Sequence, residues 1–248
     1  MTIAIAFLGL NPQVELIDFY KTVDRVNHDI YYFIDNNENK LFIDAAINFI
    51  KIDDELCMMH GFHSFNHIGR AHESGKILSA RDKAIFYFCE INQSYDHIWF
   101  VEDDVFVPVY DIFSKIDIIS IDDDLLSVNN IINTTSELDT WIWWHSILNS
   151  NIALPWAMSM CCAVRVSRKL LIIVGEHVAL HKNSDKFHEF IFHTLSLHNH
   201  LIVSKIKNLE GIVHRKNWTK EEMSNETLYH PVKSMSQQVD FRSYLLEK

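Results

Sequence analysis

A run of apolar residues that ends in three adjacent carboxylates constrains this chain most. His97-Ile98-Trp99-Phe100-Val101 leads directly into Glu102-Asp103-Asp104, and Val105-Phe106-Val107-Pro108 follows. The apolar part reads as a buried strand, since β-branched and aromatic side chains suit a pleated surface covered on both faces. Neighbouring carboxylates repel, so three of them just beyond such a strand need a cation or a set of donors to compensate them. In open α/β sheets the carboxyl ends of strands are where ligands bind, and the cluster falls there. A divalent cation, Mn²⁺ or Mg²⁺, sharing its coordination with diphosphate oxygens, fits carboxylates of this kind.

The residues upstream supply the rest of a sheet. Ile3 to Leu10 reads as a first strand, Val14 to Val26 as a helix with Leu16, Ile17, Tyr20 and Val23 on one face, Asp29 to Ile34 as a second strand and Asn48 to Ile52 as a third. This alternation predicts βαβ units and a mostly parallel sheet. His60 to Lys76 holds Gly61, Gly69 and Gly75, half of the six glycines, and reads as a loop. Ser79 is placed to cap a helix running to about Ile91.

Beyond that point the alternation is less regular. It predicts a short helix over Asp111 to Ile116, a strand over Ile118 to Ile121, an aromatic-rich helix over Thr134 to Leu148 and a buried strand over Ala157 to Val166. Helices over Ser167 to His181 and Lys186 to Asn199 and a strand over Leu201 to Ile206 follow. With no repeat, linker or low-complexity tract, the expectation is a single α/β domain over residues 1–248, Rossmann-like, with helices flanking the sheet.

Charge and cysteine usage narrow the function classes. Lys and Arg total 22 against 33 Asp and Glu, a net charge of -11, which argues against nucleic acid as a partner because phosphate-backbone binding needs cationic surface. Cys57, Cys89, Cys161 and Cys162 have neither zinc-ribbon spacing nor the density of a disulfide scaffold, so a reducing compartment suits them. Met1 to Leu10 lacks a positively charged leader, and no segment is long and apolar enough to cross a bilayer. The expectation is a soluble cytoplasmic protein, and its Ile-, Asn- and Asp-rich, Gly-poor composition suggests an AT-rich bacterial or viral genome.

The acidic stretch, with its strand before and Val105-Phe106-Val107-Pro108 after, resembles the aspartate-any-aspartate motif of glycosyltransferases with the A-type, single Rossmann-like fold. The similar forms are the Glu-Asp-Asp of N-acetylglucosaminyltransferases that start complex N-glycan branches and the Asp-Asp-Asp-Val-Phe-Val of β1,3-galactosyltransferases. The resemblance covers about the first 110 residues well and the rest loosely. It implies a nucleotide-sugar-binding half over residues 1–110 and an acceptor-binding half over 111–248, a nucleotide diphosphate sugar such as a UDP-sugar as donor, and a glycan or other hydroxyl acceptor. By the same resemblance Asp104 binds the metal, while Glu102 or Asp103 meets the ribose or the metal's waters. Ser79-Ala80-Arg81-Asp82-Lys83-Ala84 resembles the Ala-Arg-Asn segment opening the preceding helix, which implies Arg81 and Lys83 near the nucleotide at a helix start. Asp35, ending the second strand, matches the place where members set a carboxylate or amide against the base.

In the second half, Asp185-Lys186-Phe187-His188-Glu189 resembles the acidic segment after the acceptor-side strand of inverting members. That implies Glu189 as general base, with Asp185 as the alternative. Trp156 to Val164 followed by Ser167-Arg168-Lys169 looks like that strand and its helix, with Trp156 available to stack on a sugar, although the family's glycine-rich acceptor motif is absent. In Tyr229-His230-Pro231-Val232-Lys233, the resemblance implies His230 as a metal ligand and Lys233 on the diphosphate, with His214 as the alternative histidine.

Four competing readings remain open at this level. Asp122-Asp123-Asp124 also follows an apolar run and rivals the first cluster as the metal site. His60, His63 and His67 have the spacing to share one helical face and bind zinc, with His72 nearby, as in a metal-binding module or metallohydrolase. A nucleotidyltransferase or other phosphoryl-transfer enzyme would use the same carboxylates, though no Gly-Lys-Ser phosphate loop is present, and a non-catalytic glycan-binding relative would keep the fold without turnover.

Overall fold

The computed structural model describes residues 1–23, 26–35, 43–62, 79–135, 137–138, 141, 144, 152–181 and 188–248. Its centre is β1 (Ile3–Gly9), buried along its whole length. Side chains alternate across a strand, so Ala4, Ala6 and Leu8 enter the core on one face while Ile3, Ile5 and Phe7 enter the core on the other. β2 (His28–Ile34) pairs with one edge of β1 and β4 (His97–Glu102) with the other, both parallel, and β3 (Asn48–Ile50) extends the sheet beyond β2.

Beyond β4 lies β8 (Ala163–Ser167), antiparallel to β4 and to β5 (Leu125–Ser127), and β9 (Val203–Lys205) closes the sheet parallel to β5. The order is β3-β2-β1-β4-β8-β5-β9, with β8 alone running against its neighbours. The sequence expectation of a Rossmann-like, mostly parallel sheet flanked by helices holds. Two small ribbons stand apart, β6 (Ile131–Asn133) with β7 (Trp156–Met158) and β10 (Gly211–Ile212) with β11 (Tyr229–His230).

Helices cover both faces. On one, α1 (Val14–Tyr20) and α4 (Ile112–Ile119) pack Leu16, Tyr20, Ile112 and Phe113 on the sheet, with the Phe7 and Tyr20 rings stacked 3.5 Å apart. On the other lie α2 (Asp54–Met59), α3 (Ala80–Phe86), α5 (Arg168–His181) and α6 (His188–His198). α3 starts where predicted: the Ser79 hydroxyl accepts from the Asp82 amide and the Asp82 carboxylate accepts from the Ser79 amide at 2.9 Å, satisfying two free donors reciprocally. α3 continues into a wider π-helical turn at Tyr87–Ile91. Ser167 caps α5 by accepting from the Leu170 amide at 3.1 Å.

Several expectations are corrected. Ile118 and Ile119 end α4, and Ser120 to Asp122 form a turn, where a strand was expected. Ile112, Phe113 and Ile116 take the sheet side of that helix, leaving Ile118, Ile119 and Ile121 exposed. The expected strand Ala157 to Val166 is two strands in different sheets, broken at Ser159 to Cys162. The break is fixed by the Ser159 amide, which donates to the Glu189 carbonyl at 3.2 Å, and by its hydroxyl, which accepts from the Asn129 amide. The helix from Val14 stops at Tyr20 rather than Val26. A C-terminal helix, α7 (Met235–Leu246), was not foreseen; Ser234 caps it, and Phe241 and Leu245 join Phe106, Met223, Tyr229 and Val232 in a third, smaller core. Much of the expected helix from Thr134 to Leu148 lies outside the described residues.

One buried polar network ties the sheet to α4. Asp117 accepts from Arg165 Nη1 at 2.6 Å and from Trp99 Nε1 at 3.1 Å, and meets His28 Nε2 at 2.8 Å, while Arg165 Nη2 also donates to the Ser120 carbonyl. Removing one member of a buried pair strands the other charge. Asp117→Ala is therefore expected to lower stability by about 3–5 kcal/mol in urea unfolding; a loss under about 1 kcal/mol, the size of an exposed pair's contribution, would contradict the network's role.

Candidate active site

The chain order reverses between β1 and β4, because β2 and β3 lie on one side of β1 and β4 on the other. A crevice opens at the carboxyl ends of strands flanking such a switch point. Gly9 ends β1 there, and a Cβ on it would come within 2.5 Å of Asp103 Oδ2 and collide with the Tyr32 hydroxyl, so the missing side chain is what lets Asp103 cross the end of β1. The Asp103 amide donates to the Leu8 carbonyl at 2.9 Å. Burial, with the charges of Asp104 and Glu102 beside it, pushes the Asp103 carboxyl up to about 6.

Glu102 is held from α3. Arg81, buried at the first turn of that helix, places Nη2 2.8 Å from Glu102 Oε1 and donates through Nη1 to the Cys161 carbonyl at 2.5 Å. The Glu102 amide donates to the Cys162 carbonyl at 2.9 Å, so the β4–β8 pairing continues to the carboxylate itself.

The C-terminal segment closes the other side. Phe106 and Tyr229 exchange backbone hydrogen bonds, the Val232 amide donates to the Asp104 carbonyl at 2.7 Å, and Gln238 Nε2 donates to the Asp103 carbonyl at 3.0 Å. This docking sets His230 Nε2 3.5 Å from Asp104 Oδ1. His230 Nδ1 lies 2.9 Å from the Val213 carbonyl, which only accepts, so Nδ1 carries a proton and Nε2 is the nitrogen turned to the Asp104 carboxylate. Burial lowers the His230 pKa, but the Asp104 hydrogen bond and the charges of Asp104 and Glu102 outweigh it and leave the pKa raised. Glu102, Cys162 and His230 bring one carboxylate oxygen, the thiol sulfur and one ring nitrogen within 4.8 Å of one another.

Glu189, in the first turn of α6, faces the same cluster. Its carboxylate accepts from the Cys161 amide, and burial pushes its pKa up to about 8, against the pull of Arg81 and with the added push of Glu102. Glu102, Asp104, His230 and Glu189 thus come together from three separate parts of the chain.

Other sequence-predicted residues fall elsewhere. Lys83 is buried and its ammonium pairs with Asp35 at 3.0 Å and Asp54 at 2.9 Å, so its charge is compensated inside the protein and holds Asp35 beside the end of β1. Lys233 and His214 are exposed. Trp156 is core: its ring packs on Trp144 and Phe190 and its indole N–H donates to the Ile152 carbonyl at 2.9 Å. In the rival cluster, Asp123 accepts from Ser204 Oγ at 2.7 Å, and Asp124 accepts from Ser167 Oγ at 2.9 Å and the Ile202 amide at 3.1 Å. The register of His97 opposite Ser167 sets those two carboxylates at the other end of the sheet from Glu102. Asp185, His63, His67 and His72 lie outside the described residues, and His60 is exposed. Cys162 is the site residue that sequence reasoning missed, because only the pairing of β8 with β4 reveals its position beside Glu102.

No protein family matches the chain, and no curated protein matches it. Among solved structures it is similar to the apo form of mouse xyloside xylosyltransferase 1, with 9% identity and a TM-score of 0.37 over 83% of this chain and 84% of that one. It is also similar to the mannosyltransferase Ktr4p of S. cerevisiae, with 12% identity and a TM-score of 0.36 over 79% of this chain and 65% of that one. Among the described residues, no helix is long and apolar enough to cross a membrane.

A carboxyl whose folded pKa is raised gives stability that is full below the ordinary Glu value and is lost as pH rises through the folded value, here about 8. Glu189→Gln keeps an acceptor for the Cys161 amide and carries no charge. In chelator-treated protein, the variant's thermal midpoint is expected to match the wild type at about pH 4 and to exceed it increasingly toward pH 8. A wild type that stays equal or superior at pH 8 would contradict the burial of this carboxyl.

Proposed function

We propose that the chain is a metal-dependent glycosyltransferase that moves a sugar from a nucleotide diphosphate sugar, a UDP-sugar, to a hydroxyl of a glycan or similar acceptor, inverting the anomeric centre. The observation that carries this reading is the meeting of Glu102, His230 and Glu189 at the carboxyl end of β4, with Asp104 beside His230, next to the switch point between β1 and β4.

Carboxylate oxygens and an imidazole nitrogen fixed by a backbone carbonyl are donors that fit a divalent cation of the Mn²⁺ or Mg²⁺ kind, with Glu102, Asp104 and His230 holding it. When bound, the cation offsets the negative charge of the departing nucleoside diphosphate. Arg81 acts through Glu102: its buried guanidinium fixes the carboxylate's direction. Asp103, crossing the end of β1, would meet the ribose, and Asp35, held by Lys83, would meet the base. Lys233, exposed three residues beyond His230, would meet diphosphate oxygens. Glu189 accepts the proton of the attacking hydroxyl. A carboxylate whose pKa is raised toward the working pH is a stronger base than a solvated one, and the Cys161 amide fixes its orientation.

The test is release of nucleoside diphosphate from a panel of nucleotide sugars with Mn²⁺ and mixed glycan acceptors. One donor is expected to turn over, with Glu189→Gln slowing release by about 10²–10⁴-fold while donor affinity is retained, and Asp104→Asn abolishing donor binding. Release of pyrophosphate from nucleoside triphosphates instead would transfer the reading to a nucleotidyltransferase, and a Glu189→Gln variant with full activity would remove the base assignment.

A further inference from the structure

We infer that Cys162 is a metal ligand through its sulfur, and that the site takes a borderline divalent ion such as Zn²⁺ or Co²⁺ in preference to Mg²⁺. This rests on the metal-dependent reading proposed above and adds to it a donor that the acidic motif does not contain.

Three different donor types converge from three segments: a Glu102 oxygen from the end of β4, the Cys162 sulfur from the residue preceding β8, and a His230 nitrogen from β11, all within 4.8 Å of one another. In a tetrahedral site with Zn–N and Zn–S bonds of ordinary length, ligand atoms lie about 3.5 Å apart. The observed span closes to that separation with side-chain adjustments of about 1 Å. The donors are also held in place by bonds that do not involve the cation. Cys162 is fixed by its carbonyl, which accepts from the Glu102 amide at 2.9 Å; Glu102 by Arg81 at 2.8 Å; and the His230 ring by the Val213 carbonyl at 2.9 Å.

A buried cysteine ordinarily behaves as a small apolar side chain. Cys161 does so, its sulfur lying in the core 3.5 Å from the Ser159 carbonyl. Cys162 is also buried in the core, but its sulfur is the one that lies within 4.8 Å of both a Glu102 oxygen and a His230 nitrogen. Thiolate ligands select Zn²⁺ and other soft or borderline ions, while Mg²⁺ favours oxygen and water. Binding would release the thiol proton, as metal binding to cysteine does.

The probe is Co²⁺, titrated into the chelator-treated full chain and followed by absorption, with Mg²⁺ and Zn²⁺ as competitors. The expected result is a near-ultraviolet sulfur-to-cobalt charge-transfer band that grows with binding, is displaced by Zn²⁺ and resists excess Mg²⁺. The band is expected to be retained in Cys89→Ser and lost in Cys162→Ser. The latter variant should bind Co²⁺ at least about tenfold more weakly, since even losing a contact that supports a ligand costs that much. The wild-type spectrum reports sulfur ligation without needing any variant to fold. Co²⁺ bound without a sulfur band, with Cys162→Ser binding equally well, would overturn the Cys162 assignment and leave the carboxylate–histidine site standing. Failure of the wild type to bind any of the three ions would overturn both.

Discussion

The ion pair between Arg81 and Glu102 is the interaction on which the rest of the site depends. One buried guanidinium joins the start of α3, the end of β4 and, through the Cys161 carbonyl, the connection between β7 and β8. Burying a charged guanidinium costs several kcal/mol, and only close partners offset that cost. Its Nε has no hydrogen-bond partner among the described residues, so the carboxylate and the carbonyl carry the compensation. The consequence is geometric: with Arg81 in place, Glu102, Cys162 and the Cys161 amide that faces Glu189 share one rigid corner.

The other carboxyls of the site are not compensated to the same degree. Asp103 is pushed up to about 6 and Glu189 to about 8, chiefly by burial, so the fold disfavours the ionised form of both. Groups perturbed by burial and by like charges in a crevice are the usual mark of a functional site, where local stability gives way to chemistry. The C-terminal segment belongs to the same arrangement. Its small core around Phe106, Tyr229, Val232 and Phe241 anchors a strand of two residues whose backbone hydrogen bonds set His230 against Asp104.

How much of this was legible in the sequence follows from the range of the forces involved. β1, β2 and β4 were readable because a strand buried on both faces is a continuous apolar run, and the start of α3 because Ser79 and Asp82 cap it locally. The acidic motif announced itself as like charges too close to stand alone. Long-range pairing was not legible. Nothing local says that Lys83 turns inward to Asp35 and Asp54, that Asp123 and Asp124 find hydroxyl and amide donors at the far end of the sheet, or that Trp156 is covered by Trp144 and Phe190. Ile118 to Ile121 misled because β-branched residues suggest a strand, whereas α4 turns its other apolar face to the sheet. α7 escaped notice because little of it is apolar on the side that packs, where Gln238 is buried by bonds to backbone carbonyls.

Calorimetric titration of UDP into the protein, with and without Mn²⁺, tests most directly whether the end of β4 is a joint cation and diphosphate site. Binding that requires the ion in the wild type and is lost in His230→Ala, with that variant still folded, is the predicted result. UDP binding of equal strength with and without the ion, or unchanged by His230→Ala, would contradict it.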